Sequence, residues 1–283
     1  VRLFDLPQAK HFCAHPQLPR QGSEQSLARF HLGLGKLNRL QEGTPEFDIH
    51  RINLLISAER WLLYSIGHYR RALEMLVPAS LPWGQVTLYY ASFFSANSLL
   101  AMFGSWVGQT ITGVITVDVE KGSPGQQELR IFRGAKAKSP NGARGSHRIF
   151  WDFFYDSIPS ISAWVPQRLA GALNPVNGDY TWQITSRNDV NYDMFHAWQA
   201  SKQFHGTFRK AKLNSLSGPM RLQLEATEHL IRLALYFARE LSLSGSALVG
   251  CGITGDRANI QKGLLKQKSP ALINQSAFPE FVA

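Results

Sequence analysis

"SLPWGQVTLYYASFFSANSLLAMFG", residues 80–104, is the stretch on which the fold turns. It reads as one long helix, with Ser80 as its cap and Gly104 as its stop. Ala91, Ser92, Ser95, Ala96 and Ser98 are small enough to let a neighbouring helix approach closely. From Val86 to Val107 the apolar run is interrupted by Ser92, Ser95, Asn97, Ser98 and Ser105, so it reads as a buried helix and not as a membrane span. The preceding stretch, Phe47 to Leu76, is also helical. Ile52, Leu55, Ile56, Glu59, Leu62, Leu63, Ile66 and Tyr69 recur at spacings of three and four, and Pro78 closes the run.

Working outward, residues 1–22 form an irregular arm containing Pro7, Pro16 and Pro19, and a helix is predicted from Ser23 to about Gln41. After residue 108 the periodicity changes. "TGVITVDVEKGSPGQQELRIFRG" contains two β-branched, alternating runs joined by Gly122, Pro124 and Gly125, the pattern of a β-hairpin. A basic, Gly-rich link follows, and "HRIFWDFFYDSI" returns to helix. "NPVNGDY" is a turn cluster. A helix is predicted from about Ser186 to Phe208, capped by Ser186, and a last long one runs from Gly218-Pro219 to about Leu243. The expected class is mainly α, a helical bundle with a small β-hairpin insertion at about 108–146. Its core spans 46–245, flanked by an arm and helix over 1–45 and a tail over 246–283.

Composition supports a folded globular chain, with 44% hydrophobic and 11% aromatic residues among 283. No leader is expected ahead of Val1, and Cys13 and Cys251 form no metal-binding pair, so the expected setting is cytoplasmic and reducing. The net charge of +10 is unevenly spread. Arg130, Arg133, Lys136, Lys138, Arg144 and Arg148 fall in one acid-free stretch. A second, from Met194 to Leu224, carries Lys202, Arg209, Lys210, Lys212 and Arg221. Clustered cations of this kind attract polyanions through phosphate contacts and counterion release. A basic surface facing an acidic partner protein is the competing reading.

Familiar site motifs do not account for this chain. "GCGITG", Gly250 to Gly255, has dinucleotide-loop spacing, but that role needs a second parallel strand and an acid roughly twenty residues on, and in the 28 residues after Gly255 the one acid beyond Asp256 is Glu280. No H-E-x-x-H and no G-x-S-x-G occur. His50, His68 and His229 fall within predicted helices, where a hydrogen-bonded or solvated ring is expected. No cofactor and no metal are implied.

"SRNDVNYDMFHAW", residues 186–198, is the polar cluster that needs a reason. A helix cap accounts for Ser186 and Asp189 and leaves Arg187, Asn191 and Tyr192 unexplained. Arg187, Val190, Asn191 and Met194 share one face at helical spacing. An arginine with an amide one turn on and a phenol beside it can grip a phosphate.

Three segments together resemble the HEPN superfamily. "WGQVTLYYASFFSANSLLAMFG" is similar to its second long helix, "GSHRIFWDFFYDSI" to the following segment, and "SRNDVNYD" to its Arg-polar segment before the last helices. The likeness covers about residues 47–240. It implies a HEPN-like helical bundle, commonly homodimeric, from prokaryotic toxin–antitoxin or antiviral defence systems. It further implies RNA or a partner protein such as an antitoxin as partners, with no membrane, and metal-independent ribonuclease activity. Carried over by position, Arg187 and Asn188 match the family's Arg-polar pair. The family's histidine is not matched, because Tyr192 stands five residues after Arg187 and His196 nine, about half a turn out of phase. The resemblance therefore leaves proton transfer to Tyr192 or His147. RNA contacts are expected from Asn191, Arg130, Arg133, Lys136, Lys138, Arg144, Arg148 and Lys202. The alternative is a catalytically silent HEPN-like subunit that binds RNA or a partner protein.

Overall fold

The computed structural model describes residues 4–13, 26–75, 80–122, 125–134, 145–173, 179, 181–192 and 218–241. Seven α-helices dominate these residues: α1 (Leu6–Cys13), α2 (Leu27–Gly33), α3 (Pro45–Glu74), α4 (Leu81–Met102), α5 (Ser146–Ser157), α6 (Trp182–Tyr192) and α7 (Gly218–Glu240). A small antiparallel sheet is built from β1 (Arg39–Gln41), β2 (Trp106–Thr110), β3 (Gly113–Lys121) and β4 (Gln127–Arg133), in the order β1-β4-β3-β2. No described helix is long and apolar enough to cross a membrane.

Both long helices form where the periodicity places them. Thr44 caps α3 by accepting from the Phe47 amide, and Pro45 occupies the first turn, where its missing N–H costs nothing. Helix α4 is buried over most of its surface, with α3 on one side and α7 on another. Its small residues make those close approaches. Ser65 Oγ of α3 donates to the Ala91 carbonyl at 2.8 Å and pairs with Ser95 Oγ. Ser98 Oγ donates to the Ala58 carbonyl at 2.7 Å, and Ser92 Oγ meets Thr227 Oγ1 of α7 at 2.8 Å. Buried hydroxyls on a helix face need such partners, and here the neighbouring helix supplies them. Gly104 ends α4 with φ +79°, a left-handed conformation that glycine adopts without steric cost.

Four expectations need correction. Within the expected irregular arm over 1–22, Leu6–Cys13 forms helix α1, because Leu6, Ala9, Phe12 and Cys13 fall on one face and are buried in the core. Of the helix predicted over 23–41, the described residues from 26 on form only α2, because the chain leaves it through Gly33 and Gly35 (φ +57°) and then extends as β1. Leu40 is buried opposite Leu129 of β4, so pairing with a distant strand overrides the local pattern. The β-hairpin of β3 and β4 forms, but β2 joins it through the turn at Ile111-Thr112 and β1 closes its far side, giving four strands. Ile115, Val117, Val119, Leu129 and Ile131 are buried with the helices in one continuous core. The helix predicted to start at Ser186 starts at Trp182 instead; Asp179 Oδ1 accepts from the amide and hydroxyl of Thr181 just before it. Ser186 is consequently an interior helix residue and not a cap.

Where sheet and helices meet, His31 Nε2 and His50 Nδ1 lie 3.0 Å apart, and the His31 ring stacks on Trp106. Both imidazoles are buried. Cys13 is also buried, and burial pushes its thiol up to about 12.

Candidate functional site

Helix α6 is held on both sides by amide side chains reaching Ser186. Its hydroxyl accepts from Gln85 Nε2 of α4 and donates to Gln223 Oε1 of α7 at 3.2 Å. Arg187, the next residue, is thereby laid against the Tyr89-Tyr90 pair of α4. Its guanidinium carbon is 5.5 Å from the Tyr89 ring centroid and 5.8 Å from that of Tyr90. One terminal nitrogen donates to Asn188 Oδ1 at 3.1 Å and the other to Tyr90 Oη at 3.4 Å. Nε is buried with no hydrogen-bond partner. Among the described residues no carboxylate pairs with this cation. Asp189 lies two residues on, about 200° around the helix.

Helix α5 brings His147 to the same place. Gly145, at φ +84°, turns the chain into α5, and His147 falls in the first turn. Its Nδ1 lies 2.6 Å from Tyr89 Oη, and its ring packs 4.7 Å from Phe93. Trp151 Nε1, which can only donate, reaches the same Tyr89 oxygen at 3.4 Å. Burial raises the Tyr89 pKa, so the phenol keeps its proton and can donate it to Nδ1, which puts the imidazole proton on Nε2. Burial first, and the Arg187 charge second, lower the His147 pKa, so the ring is neutral near pH 7. A fixed cation, a neutral imidazole and two phenols therefore converge on one edge of α4. That set can bind an oxyanion and move a proton to or from it.

The predicted site residues divide into three groups. Arg187, Asn188 and His147 are brought together around Tyr89, and the exposed Arg148 follows His147 on α5. Asn191 is exposed on α6, and Tyr192 is the last described residue of that helix, with its side chain outside the described residues, as is the rest of the helix expected to Phe208. Arg130 and Arg133 lie on β4 with their guanidinium groups engaged there. Arg130 pairs with Glu120 at 3.2 Å over the Phe132 ring, and Arg133 donates to the Leu37 carbonyl at 2.6 Å. Lys136, Lys138, Arg144 and Lys202 lie outside the described residues, as do His196, Gly250 to Gly255 and Asn274.

Tyr89, Tyr90, Phe93 and Trp151 complete the site and were not anticipated from the sequence. The signal available was the doubled tyrosine, followed by Phe93-Phe94 one turn on, in a helix whose other buried positions are mostly small or aliphatic. Among the described residues no group of three or more His, Cys, Asp or Glu is placed to hold a metal ion. A separate depression of about 210 Å³ is lined by Tyr155, Trp182, Glu225 and His229 on other faces of α5, α6 and α7, and Arg187 does not border it. The chain matches no family model, no curated protein and no solved structure.

Proposed function

We propose that this chain is a HEPN-like protein of a prokaryotic defence or toxin system that binds RNA through Arg187 and cleaves it without a metal. The supporting observation is the Arg187 guanidinium, which lies on two tyrosine rings with no carboxylate to neutralise it among the described residues. A backbone phosphate supplies the missing negative charge, and arginine's planar fork suits it better than a lysine would. The net charge of +10 adds long-range attraction.

For cleavage, the RNA 2′-hydroxyl attacks the adjacent phosphorus, the 5′-oxygen departs, and a 2′,3′-cyclic phosphate remains. Arg187 offsets the charge that builds on the phosphoryl oxygens. The bound phosphate favours protonation of His147, which then gives its Nε2 proton to the departing 5′-oxygen. The proton released by the 2′-hydroxyl passes to water.

The second reading is a catalytically silent subunit that binds RNA or a partner protein. It is favoured by Tyr192 standing where the family's histidine is expected, and by Tyr89 already occupying His147 Nδ1. One experiment separates the two readings: RNA incubated in EDTA with wild type, Arg187→Ala and His147→Ala, alongside binding titrations at increasing salt. Cleavage lost in both variants supports the ribonuclease. Salt-sensitive binding without cleavage supports the silent subunit. If the folded protein fails to bind RNA at low salt, both RNA readings are wrong and a protein-partner role remains.

A further inference from the structure

The aromatic character of the site does not end at Tyr90. On α4, Trp83, Thr87, Tyr90 and Phe94 follow one another at spacings of four, three and four, a single face about 16 Å long. On α3, Tyr64 and His68 lie alongside it. Ring centroids are 5.8 Å apart for Tyr64 and Phe94, 5.1 Å for His68 and Phe94, and 6.4 Å for His68 and Tyr90. Tyr90 and Phe94 are 6.3 Å apart, and Tyr90 carries the Arg187 guanidinium. These contacts are tilted, between 31° and 59°, so the rings touch by edges and corners and do not cover one another's faces. Trp83 is 65% exposed and Tyr64 56% exposed, values rare for rings of that size in a folded chain.

We infer that this strip is a stacking platform for unpaired bases, so that the RNA taken by the Arg187 site is single-stranded. The inference rests on the phosphate reading of Arg187. An aromatic ladder beginning at a cation is what single-strand recognition requires: a charge to fix the backbone and π-faces for successive bases, whatever their sequence. A duplex hides those faces inside its own stack and cannot use the strip. The α3 stripe that carries Tyr64 and His68 also carries Arg60 and Arg71 at helical spacing, and Arg71 is paired there with Glu74 at 2.6 Å. A second copy of this chain, bearing the same charge of +10, fits that surface less well than a polyanion does.

The test uses the full chain and three fluorescein-labelled probes of equal length: a single-stranded uridine oligonucleotide, its duplex with the complement, and an abasic backbone. Affinities are compared for wild type, Tyr64→Ala, Trp83→Ala and Arg187→Ala by anisotropy at low salt, with folding checked by circular dichroism. Wild type is expected to favour the single strand over the duplex. Tyr64→Ala and Trp83→Ala should each weaken the single strand by roughly fivefold to a hundredfold and leave the abasic probe unchanged. Arg187→Ala should weaken all three probes. If Tyr64→Ala and Trp83→Ala bind the single strand as wild type does while Arg187→Ala weakens every probe, the stacking strip is refuted and the phosphate site stands. If wild type binds no probe, the phosphate reading fails and takes the strip with it. Loss of self-association in Tyr64→Ala with unchanged RNA affinity would reassign the strip to a dimer contact and overturn the inference.

Discussion

Tyr89 joins His147 to Arg187: its hydroxyl lies 2.6 Å from the imidazole Nδ1 while the guanidinium lies over its ring face. Two residues 58 positions apart are thus fixed relative to each other without waiting for a ligand, and the third lies over the ring of the first. Preorganisation of that kind lowers the cost of assembling polar groups around any ligand that such a site takes.

Removing the cation should release the imidazole in part. In Arg187→Gln the His147 pKa is expected to rise relative to wild type, because the nearby positive charge is gone. It should stay below the ordinary histidine value, because burial, the larger cause, persists. Arg187→Lys keeps the charge and should move it little. Proton-detected titration of the His147 ring reads this directly, and an unchanged value in Arg187→Gln would separate the two groups.

Acid should destabilise the fold through the His31–His50 pair. Burial holds His31 down to about 2, helped by His50 and Arg133, and holds His50 down to about 3. In the unfolded chain both take protons near pH ~6.5, whereas the folded chain refuses them until far lower. Their contribution is therefore complete above the unfolded value and declines as pH falls through it, by about 1.4 kcal/mol per pH unit for each ring that must stay neutral. Urea unfolding at pH 7, 6 and 5 should show this slope, and a His31→Phe/His50→Gln double variant should show a shallower one. Parallel slopes would acquit the pair.

The serine and alanine seam of α4 should resist enlargement. Ala91 is fully buried and its carbonyl receives the Ser65 hydroxyl, so Ala91→Leu must push α3 and α4 apart. A loss of about 2–3 kcal/mol is expected, the ordinary cost of overpacking a tight core. A thermal melt matching wild type would mean that the helices have slack there.

Two left-handed glycines should respond differently to the same change. A Cβ at Gly104 would stand 2.4 Å from Val119 Cγ2 and 3.2 Å from the Phe12 ring, whereas one at Gly35 meets open space. Gly35→Ala should cost only the backbone strain, on the order of 1 kcal/mol, and Gly104→Ala on the order of 2–4 kcal/mol. Comparing their denaturation midpoints checks the ranking.

What the sequence disclosed follows from the range of the forces involved. Helices α3, α4, α5 and α7 are written in periodicity and stop signals within a few residues, so they were legible. Strand β1 was not, since Arg39-Leu40-Gln41 has no strand character of its own and exists because Leu40 finds Leu129. The start of α6 was misplaced because a serine that looks like a cap instead binds Gln85 and Gln223 from other helices. Arg187 and Asn188 could be picked out locally. Tyr89 could not, because its importance comes from α5 and α6 converging on it.

The shortest of the described strands has a role out of proportion to its length. Arg39–Gln41 covers the outer margin of β4, where the Ile131 amide reaches the Asn38 carbonyl at 2.8 Å and the Glu42 amide reaches the Gln127 carbonyl at 3.0 Å. A proteolytic cut that carried away the first forty-odd residues would strip this guard and leave β4 with a row of unanswered donors and acceptors. Such a fragment would be prone to recruit β-strands from other chains and precipitate, even with its helices intact.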